Sequence, residues 1–268
     1  MNKGIDVCTY QGVIDWAKIK NDDVTFAMIK ATQGRSETNY AQCDITDVQF
    51  RRNIVAAPGC GISVGVYHYL TATTVAEAHK EAKQFIDAIS VFKDKITLYA
   101  AVDVESKYLP VNKTLLTNIV QAFYDDVEQA GYKAAVDTNP DFLKNRLNIG
   151  EMRLWLALWR DKNKTPTSFR NMVMWQWGAG NVKGVTKTVD CNFGFFDAAD
   201  NKATAPAKTA IKAGDKVRVK NAVLYGTNKR FMAIFPSYTV LQVNGDRIVI
   251  GIGKIVVAAV HADNLTRV

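Results

Sequence analysis

The 268-residue sequence lacks two features that would place it in a membrane or in a secretory pathway. No apolar run approaches the roughly 20 residues that a membrane-spanning helix needs. Residues 1–6 are MNKGID, without the apolar core of a signal peptide, so we expect synthesis in the cytoplasm without export by such a peptide. Together these absences favour a globular chain that is not inserted in a membrane.

Cysteine and histidine are scarce, and neither forms a metal-binding pattern. The four cysteines have no CxxC spacing, and the three histidines add no ligand pattern to them. These residues are Cys8, Cys43, Cys60 and Cys191, with His68, His79 and His261. We therefore expect reduced thiols, and neither a metal nor another cofactor.

Acidic residues are scarce in the last quarter of the chain. Residues 207–268 contain ten Lys or Arg against three Asp, a net charge of +7, whereas residues 1–206 contain 24 basic and 23 acidic residues, a net charge of +1. A basic domain of this kind is expected to bind a polyanion, which could be nucleic acid, an anionic membrane or an anionic cell wall.

A small, polar, proline-containing segment at residues 200–211 is predicted to be a linker. It divides a first domain, residues 1–199, from a second, residues 212–268. In the first, apolar runs typical of buried parallel strands alternate with helical patterns. The predicted strands are residues 4–8, 25–31, 63–70, 97–104, 133–137, 153–159, 173–177 and 185–190, and the clearest helices are 75–90 and 113–130. This alternation predicts an α/β fold, an eight-stranded TIM-like barrel with some helices reduced or missing.

The second domain contains short β-rich runs and no segment with helical periodicity. Its predicted strands are residues 215–219, 239–243, 247–252 and 255–260. A small all-β antiparallel barrel is expected. Apolar residues within 232–238 and 250–260 could form a homo-oligomer interface, although the core of a small barrel explains them equally well.

Two acids, Asp103 and Glu105, close the apolar run of the fourth predicted strand. Side chains at i and i+2 of a strand point to the same face, so both carboxyls should project from one strand tip. Crowded carboxylates push one pKa upward, which leaves one group protonated and the other charged. That pair suits general acid catalysis at a glycosidic bond. The alternative explanation is a solvated strand end at which two acids occur by chance.

Further acids close other predicted strands. Asp6 ends the first strand and Asp190 the eighth, and these strands become neighbours when the barrel closes. Asp137 ends the fifth and could join the same rim. Because catalytic residues of α/β barrels lie at the carboxyl ends of the strands, a chance arrangement of these acids is disfavoured.

Aromatic residues occur near the same strand ends. They are Tyr67 and Tyr69 of the third strand, Trp155 and Trp159 of the sixth, and Trp175 and Trp177 of the seventh. Alternation allows only some of them to face the mouth. We expect Tyr69 and Trp177 to serve in packing, while the others could offer apolar faces to sugar rings.

Over about residues 3–197 the sequence resembles glycoside hydrolase family 25, the lysozymes of bacteria and their phages. The blocks that carry the resemblance are GIDV at 4–7, IDW at 14–16, FAMIKAT at 26–32, VGVYHY at 64–69, VDVE at 102–105, LWLA at 154–157, WQW at 175–177 and VDCNF at 189–193. No single block is specific, but together, in the order of the family, they are a strong signal.

The resemblance implies a muramidase that cuts the β-1,4 bond from N-acetylmuramic acid to N-acetylglucosamine in peptidoglycan. It implies Glu105 as proton donor, with Asp103, Asp6 and Asp190 as companion acids. Tyr67, Lys30 and Trp175 would contact sugar or shape the site, and Asp137 and Trp155 are added as substrate-binding candidates.

The sequence departs from the family pattern at several rim positions. Gln33 stands where Glu is frequent, and Asp137 where Tyr is frequent. Cys8 and Cys191 replace smaller or hydroxylated residues beside Asp6 and Asp190. The four implied catalytic carboxyls are all present, so these departures bear on subsite contacts rather than on the reaction.

The second domain resembles a bacterial SH3-like module, on GDKVRV at 214–219, YTVLQV at 238–243 and VHADNL at 260–265. Such modules on wall hydrolases usually target the enzyme, here to an anionic wall polymer. The whole chain then resembles a phage or prophage endolysin of a Gram-positive host, which waits in the host cytoplasm until a holin-type membrane pore releases it to the wall.

Three other functions compete with this interpretation. A chitinase-like glycosidase also uses an Asp-x-Glu strand end, and a non-catalytic wall-binding protein would not need four acids. Nucleic-acid binding is disfavoured because the basic domain has few aromatic residues on its strands to stack with bases. Strand spacing leaves retaining, inverting and substrate-assisted mechanisms open; we favour the last, with Asp103 orienting the 2-acetamido group of the substrate.

Overall fold

The computed structural model describes residues 1–36, 43–196, 211–227, 229–244 and 247–267. The chain divides into two compact units, Met1–Pro206 and Ala207–Val268. All but the last residue of the predicted linker, 200–211, lie outside the described residues, so its limits and those of the two predicted domains stay predictions.

The first unit contains a closed barrel of eight strands, with one further strand attached outside the ring. The strands are β1 (Asn2–Val7), β2 (Phe26–Arg35), β3 (Cys43–Thr46), β4 (Ser63–Tyr69), β5 (Tyr99–Asp103), β6 (Lys133–Thr138), β7 (Leu154–Ala157), β8 (Met172–Gly180) and β9 (Val189–Gly194). The hydrogen-bonded order is β1-β9-β8-β7-β6-β5-β4-β2, and pairing of β1 with β2 closes the ring, while β3 pairs with β2. The predicted barrel is therefore confirmed.

The last strand of the barrel runs in the opposite direction to the other seven. β9 is antiparallel to both β8 and β1, and Asp190 lies at its beginning. The prediction of a strand over 185–190 that ends at Asp190 is therefore wrong. Only residues 181–188 join β8 to β9, too few for the crossover of a dozen or more residues that a parallel connection needs. Because β9 is reversed, its first residues still lie at the rim formed by the carboxyl ends of its neighbours.

Five α-helices occur among the described residues of this unit, and only two are long. They are α1 (Trp16–Lys20), α2 (Phe50–Gly59), α3 (Val75–Ser90), α4 (Lys113–Gln129) and α5 (Pro140–Asn145). The side chains of Thr74 and Asn112 cap α3 and α4 by accepting hydrogen bonds from backbone amides three residues on. The two long helices confirm the helical patterns at 75–90 and 113–130, and the short ones agree with the expected reduction of helices.

The hydrophobic core of the barrel lies in two layers. One fills the barrel interior and contains Phe26, Met28, Ala101, Ala135 and Trp155. The other lies between the barrel and the surrounding helices and loops. Glycine makes room for the large interior residues: a Cβ at Gly65 would lie 2.3 Å from the sulfur of Met28. The interior is thus packed below the rim, which leaves the rim for polar side chains.

The second unit is a five-stranded antiparallel sheet with its own apolar core. Its strands are β10 (Lys216–Val219), β11 (Tyr238–Asn244), β12 (Arg247–Ile252), β13 (Ile255–His261) and β14 (Leu265–Arg267), in the order β13-β12-β11-β10-β14. Ile250, Ala258 and Val260 are buried, whereas Met232, Ile234 and Ile255 are exposed. In the described part of the chain, no helix is long and apolar enough to cross a membrane.

Candidate active site

A cavity of about 530 Å³ opens at the rim of the barrel, within the size range usual for ligand sites. It is lined by Asp6, Cys8, Lys30, Tyr67, Tyr69, Asp103, Glu105, Asp137, Asn139, Ala157, Leu158, Trp159, Gln176 and Asp190. All five acids that the sequence placed at strand ends therefore meet in one cavity. No cluster able to hold a metal ion occurs among the described residues.

Asp103 and Glu105 both line the cavity, as the alternation of side chains predicts. β5 ends at Asp103, and the amide of Val104 donates to the carbonyl of Asp137 on the neighbouring strand at 2.8 Å. This bond continues the strand pairing past Asp103, with Val104 buried and Glu105 exposed. Asp103 is 6% exposed, so the pair consists of one enclosed carboxyl and one that solvent or substrate reaches directly.

Asp6 is held by two amide side chains. Its Oδ2 accepts hydrogen bonds from Nδ2 of Asn192 at 2.7 Å and Nε2 of Gln176 at 3.1 Å. Burial, reinforced by the nearby charge of Asp190, raises the pKa of Asp6 from 3.8 to about 7. Near neutral pH, Asp6 is therefore protonated in a large fraction of molecules.

Asp190 lies opposite Asp6 in the antiparallel pairing of β1 and β9. It is partly buried, and that burial raises its pKa above the ordinary 3.8. Asp6 and Asp190 are therefore close together, as predicted. Their proximity results from the antiparallel pairing of β1 with β9 and not from two parallel strands that both end at the rim.

Asp137 is the fifth acid of the cavity and lies opposite Asp103 in the pairing of β5 with β6. It is 7% exposed, and its Oδ1 has no hydrogen-bond partner among the described residues. Burial, followed by the charges of Asp103 and Glu105, raises its pKa well above the ordinary value.

Tyr67 and Lys30 are neighbours in the pairing of β2 with β4, and both line the cavity. The ring of Tyr67 is buried and meets Trp155 edge to face at 5.9 Å. Nζ of Lys30 donates to Oε1 of Gln33 at 2.9 Å and lies 4.7 Å from the ring centroid of Tyr69. Tyr69, which we expected to serve only in packing, also lines the cavity.

Trp155 and Trp175 are fully buried and lie outside the cavity lining. Trp155 belongs to the interior layer, and its Nε1 donates to Oδ1 of Asn192, the residue that binds Asp6. Nε1 of Trp175 donates to the carbonyl of Leu158, which lines the cavity. Both indoles therefore support residues of the site from behind, and neither offers a face to a sugar.

Trp159, one of the aromatic residues expected to be able to face a sugar, lines the cavity, whereas Gln176 and Asn139 of the lining were not predicted as site residues. Trp159 is 61% exposed, and its Nε1 donates to Oε1 of Gln176 at 2.9 Å. Gln176 belongs to the WQW block and Asn192 to the VDCNF block, so their position next to predicted residues was the available signal. Trp177 lies outside the lining and stacks on Phe193, in agreement with the expected packing role.

The cysteines beside Asp6 and Asp190 are accommodated differently. Cys8, Cys60 and Cys191 carry free thiols. The Cys8 sulfur accepts a hydrogen bond from the amide of Tyr10 at 3.4 Å and lines the cavity. Cys191 is buried, which raises its pKa to about 11, so its thiol is un-ionised.

Comparison with known proteins agrees with this architecture. The chain is 29% identical to the autolytic lysozyme of Clostridium acetobutylicum over 191 residues, which are 70% of this chain and 54% of the relative. It is 29% identical to lysozyme M1 of Streptomyces globisporus over 207 residues, which are 71% of this chain and 66% of the relative. The chain thus spans about half of the first relative and just under two thirds of the second.

Solved structures share the barrel. The CTP1L endolysin matches with a TM-score of 0.62 at 24% identity, over 72% of this chain and 66% of that protein. A lysozyme of Streptomyces coelicolor matches with a TM-score of 0.61 at 24% identity, over 76% of this chain and 97% of that protein. The family model described as glycosyl hydrolases family 25 matches residues 5–185, more than half of the sequence. The chain belongs to glycosyl hydrolase family 25.

Proposed function

We propose that this protein is a muramidase that hydrolyses the β-1,4 bond between N-acetylmuramic acid and N-acetylglucosamine in Gram-positive peptidoglycan. The observation that carries the proposal is the convergence of carboxyls from four different strands on one rim cavity. Glycosidases of most families use a pair of carboxyls with different protonation states. Membership of a family to which lysozymes also belong supplies the substrate class.

Glu105 is the proposed proton donor to the leaving oxygen. It is the most exposed acid of the cavity, and a donor must come within about 3 Å of the atom that it protonates. Asp6 is less suited to this task, because Asn192 and Gln176 both occupy its Oδ2. We assign Asp6 and Asp190 to electrostatic support of the reaction.

Asp103 is the proposed electrostatic partner of Glu105. It is enclosed where Glu105 is exposed, which suits an orienting carboxylate better than a proton donor. In the substrate-assisted route, Asp103 orients the 2-acetamido group of the substrate, whose oxygen attacks the anomeric carbon. That route forms no covalent bond to the protein, so mass spectrometry of enzyme quenched during turnover should find no glycosyl adduct on any carboxyl. A trapped adduct would exclude this route.

Sugar contacts are assigned to the aromatic and cationic residues of the lining. Tyr67, Tyr69 and Trp159 present aromatic surface at the cavity, and Lys30 is the lysine among the described residues of the lining. Apolar ring faces with polar edges match the two-sided character of a pyranose ring. Trp155 and Trp175 are left with a supporting role.

The second unit is the proposed wall-binding part, an SH3-like module of an endolysin from a phage or prophage. Its support is a five-stranded antiparallel sheet with a separate core and the net charge of +7 over residues 207–268. Lys212, Lys220 and Lys254 are exposed there and suit an anionic wall polymer.

The decisive experiment is identification of the new reducing ends. Purified Gram-positive peptidoglycan would be digested with the protein, reduced with borohydride and hydrolysed to its amino sugars. A muramidase yields reduced muramic acid. Reduced glucosamine would instead indicate a glucosaminidase, and release of reducing ends from chitin would indicate the chitinase-like alternative. If neither peptidoglycan nor chitin yielded new reducing ends, the protein would be a non-catalytic wall-binding protein.

A further inference from the structure

Asp137 stands out among the five acids of the cavity, because it is the one at a position where the family resemblance leads us to expect tyrosine. A tyrosine hydroxyl is a neutral hydrogen-bond donor at ordinary pH. A carboxyl group can take over that task only while it holds a proton. The surroundings of Asp137 therefore determine whether the group at this position is a neutral carboxylic acid, which can donate a hydrogen bond, or a carboxylate, which cannot.

The surroundings of Asp137 disfavour a charge on it. The residue is 93% buried, which follows from its 7% exposure. The charged groups that act on it most strongly are all acids, namely Asp103, Glu105, Asp6 and Asp190. The lysine of the cavity, Lys30, is held by Gln33 and lies over the ring of Tyr69. A buried carboxylate without a cationic partner is costly, and such a group takes up a proton instead.

One carboxyl oxygen of Asp137 is available for a hydrogen bond to a ligand. Oδ1 of Asp137 has no hydrogen-bond partner among the described residues, and the residue lines the cavity. Buried polar atoms almost always have a partner. A ligand in the cavity is well placed to provide one, and both amino sugars of peptidoglycan carry an acetamido carbonyl, a strong hydrogen-bond acceptor.

We infer that Asp137 is a neutral carboxylic acid in the resting site and that its hydroxyl donates a hydrogen bond to an acceptor oxygen of the bound N-acetylated sugar. This inference rests on the proposed function for the identity of the sugar, but the protonation of Asp137 can be tested without substrate. It makes Asp137 a substrate-binding residue whose contribution disappears when it ionises.

The first test is spectroscopic and uses the intact protein. Infrared spectra of the wild type at ~pH 8, where ordinary aspartates are ionised, should contain the carbonyl band of a protonated carboxyl. Because Asp6 still holds part of its proton at this pH, the band should lose most of its intensity in Asp137→Asn and keep most of it in Asp6→Asn. Its absence from the wild type, or a band of undiminished intensity in Asp137→Asn, would overturn the inference whatever the protein hydrolyses.

The second test compares two variants on peptidoglycan. Asp137→Asn keeps a neutral donor of the same shape, so its KM should stay within about threefold of wild type, whereas Asp137→Ala should raise KM about tenfold, the value of one net hydrogen bond. The KM of the wild type should rise more steeply at alkaline pH than that of Asp137→Asn.

Other ionisable groups face the same cavity and are present in all three proteins. They are Asp6, Cys8, Lys30, Tyr67, Tyr69, Asp103, Glu105 and Asp190. Only the difference between Asp137→Asn and wild type therefore reports on Asp137. Equal KM values for the Asn and Ala variants, at every pH, would contradict a donor at this position. Failure of the wild type to cut peptidoglycan would instead contradict the proposed function.

Discussion

The carboxyl group of Asp6 couples the stability of the barrel to pH. Its pKa is about 7 in the folded protein against 3.8 ordinarily. When pH rises from ~4 to ~8, the unfolded chain releases this proton before the folded protein does, so the stability associated with the protonated group is lost across that window. Above ~pH 8 both states are ionised, and the loss is complete.

Replacement of Asp6 by Asn should remove this part of the pH dependence. Asn keeps an acceptor oxygen for Asn192 and Gln176 but cannot ionise. Relative to wild type, the variant should gain free energy of unfolding between ~pH 4 and ~pH 8, with an upper bound of about 4 kcal/mol. Urea unfolding followed by tryptophan fluorescence measures it, because all five tryptophans lie between residues 16 and 177 of the first unit.

The control for this experiment is Asp94→Asn, which changes an exposed aspartate on the same unit. Its free energy of unfolding should follow that of wild type within ~0.5 kcal/mol at each pH. Equal pH dependence of wild type and Asp6→Asn would show that Asp6 does not hold its proton in the folded protein.

At the scale of secondary-structure elements, a buried polar network joins β2, β4 and α3 outside the barrel. Nδ1 of His68 lies 2.7 Å from Oγ1 of Thr32, and its Nε2 lies 2.8 Å from Oε2 of Glu81. Glu81 also accepts hydrogen bonds from the amide and the hydroxyl of Thr71. Burial lowers the pKa of His68, so the imidazole is neutral near pH 7 and the network consists of hydrogen bonds more than of charge.

Substitution of Glu81 by Gln should weaken the attachment of α3 to the barrel. The amide nitrogen cannot accept a hydrogen bond, so one buried donor of the network loses its partner. The free energy of unfolding should fall by about 1–3 kcal/mol. On the same helix, Asp87→Asn alters an exposed side chain paired with Lys83 and should cost less than ~0.5 kcal/mol. If Glu81→Gln and Asp87→Asn changed the free energy of unfolding equally, a structural role for the network would be refuted.

Elements also show which parts of the site a sequence can predict. On five strands, a residue of the interior layer is followed two positions later by a residue that lines the cavity. These pairs, interior residue first, are Met28 and Lys30, Tyr67 and Tyr69, Ala101 and Asp103, Ala135 and Asp137, and Met174 and Gln176. A period of two along each strand, with catalytic groups at the carboxyl ends, was enough to place Asp6, Asp103, Glu105 and Asp137. Asp190 reaches the same rim from the beginning of the reversed β9.

The aromatic residues were harder to place, because alternation must be counted from a known interior position. Met174 and Gln176 face inward, so Trp175 between them faces outward, where its ring is 5.9 Å from that of Phe193. Trp159 lies beyond the end of β7, in a loop whose path no periodicity predicts. The direction of β9 follows from the length of one connection: the predicted strands 173–177 and 185–190 leave only residues 178–184 between them, already too few for a parallel crossover.

At the scale of the whole molecule, the two units differ in charge, and this difference predicts how the protein binds walls. Simultaneous replacement of Lys212, Lys220 and Lys254 by Gln should weaken sedimentation of the protein with purified walls several-fold. The effect should shrink as salt is added, because mobile ions screen exposed charges beyond about 10 Å at ~0.1 M. Binding to nucleic acid, measured by gel shift, should stay weak in both proteins.

A matched variant separates local charge from net charge. Replacement of Lys80, Lys144 and Lys164 by Gln removes the same three charges from exposed positions of the first unit and should leave sedimentation near that of wild type. If both triple variants lost binding equally, the positive charge of the second unit would not be the determinant of wall binding.

The central claim is that the rim carboxyls hydrolyse the glycan strand, with Glu105 as proton donor. The rate at which Glu105→Gln releases reducing ends from purified peptidoglycan tests it most directly, beside Glu151→Gln, which changes an exposed glutamate on the first unit. Removal of a general acid should lower the rate about 10²- to 10⁴-fold, with unchanged tryptophan fluorescence and urea midpoint, while Glu151→Gln should keep wild-type activity. A rate for folded Glu105→Gln within about threefold of wild type would contradict the account.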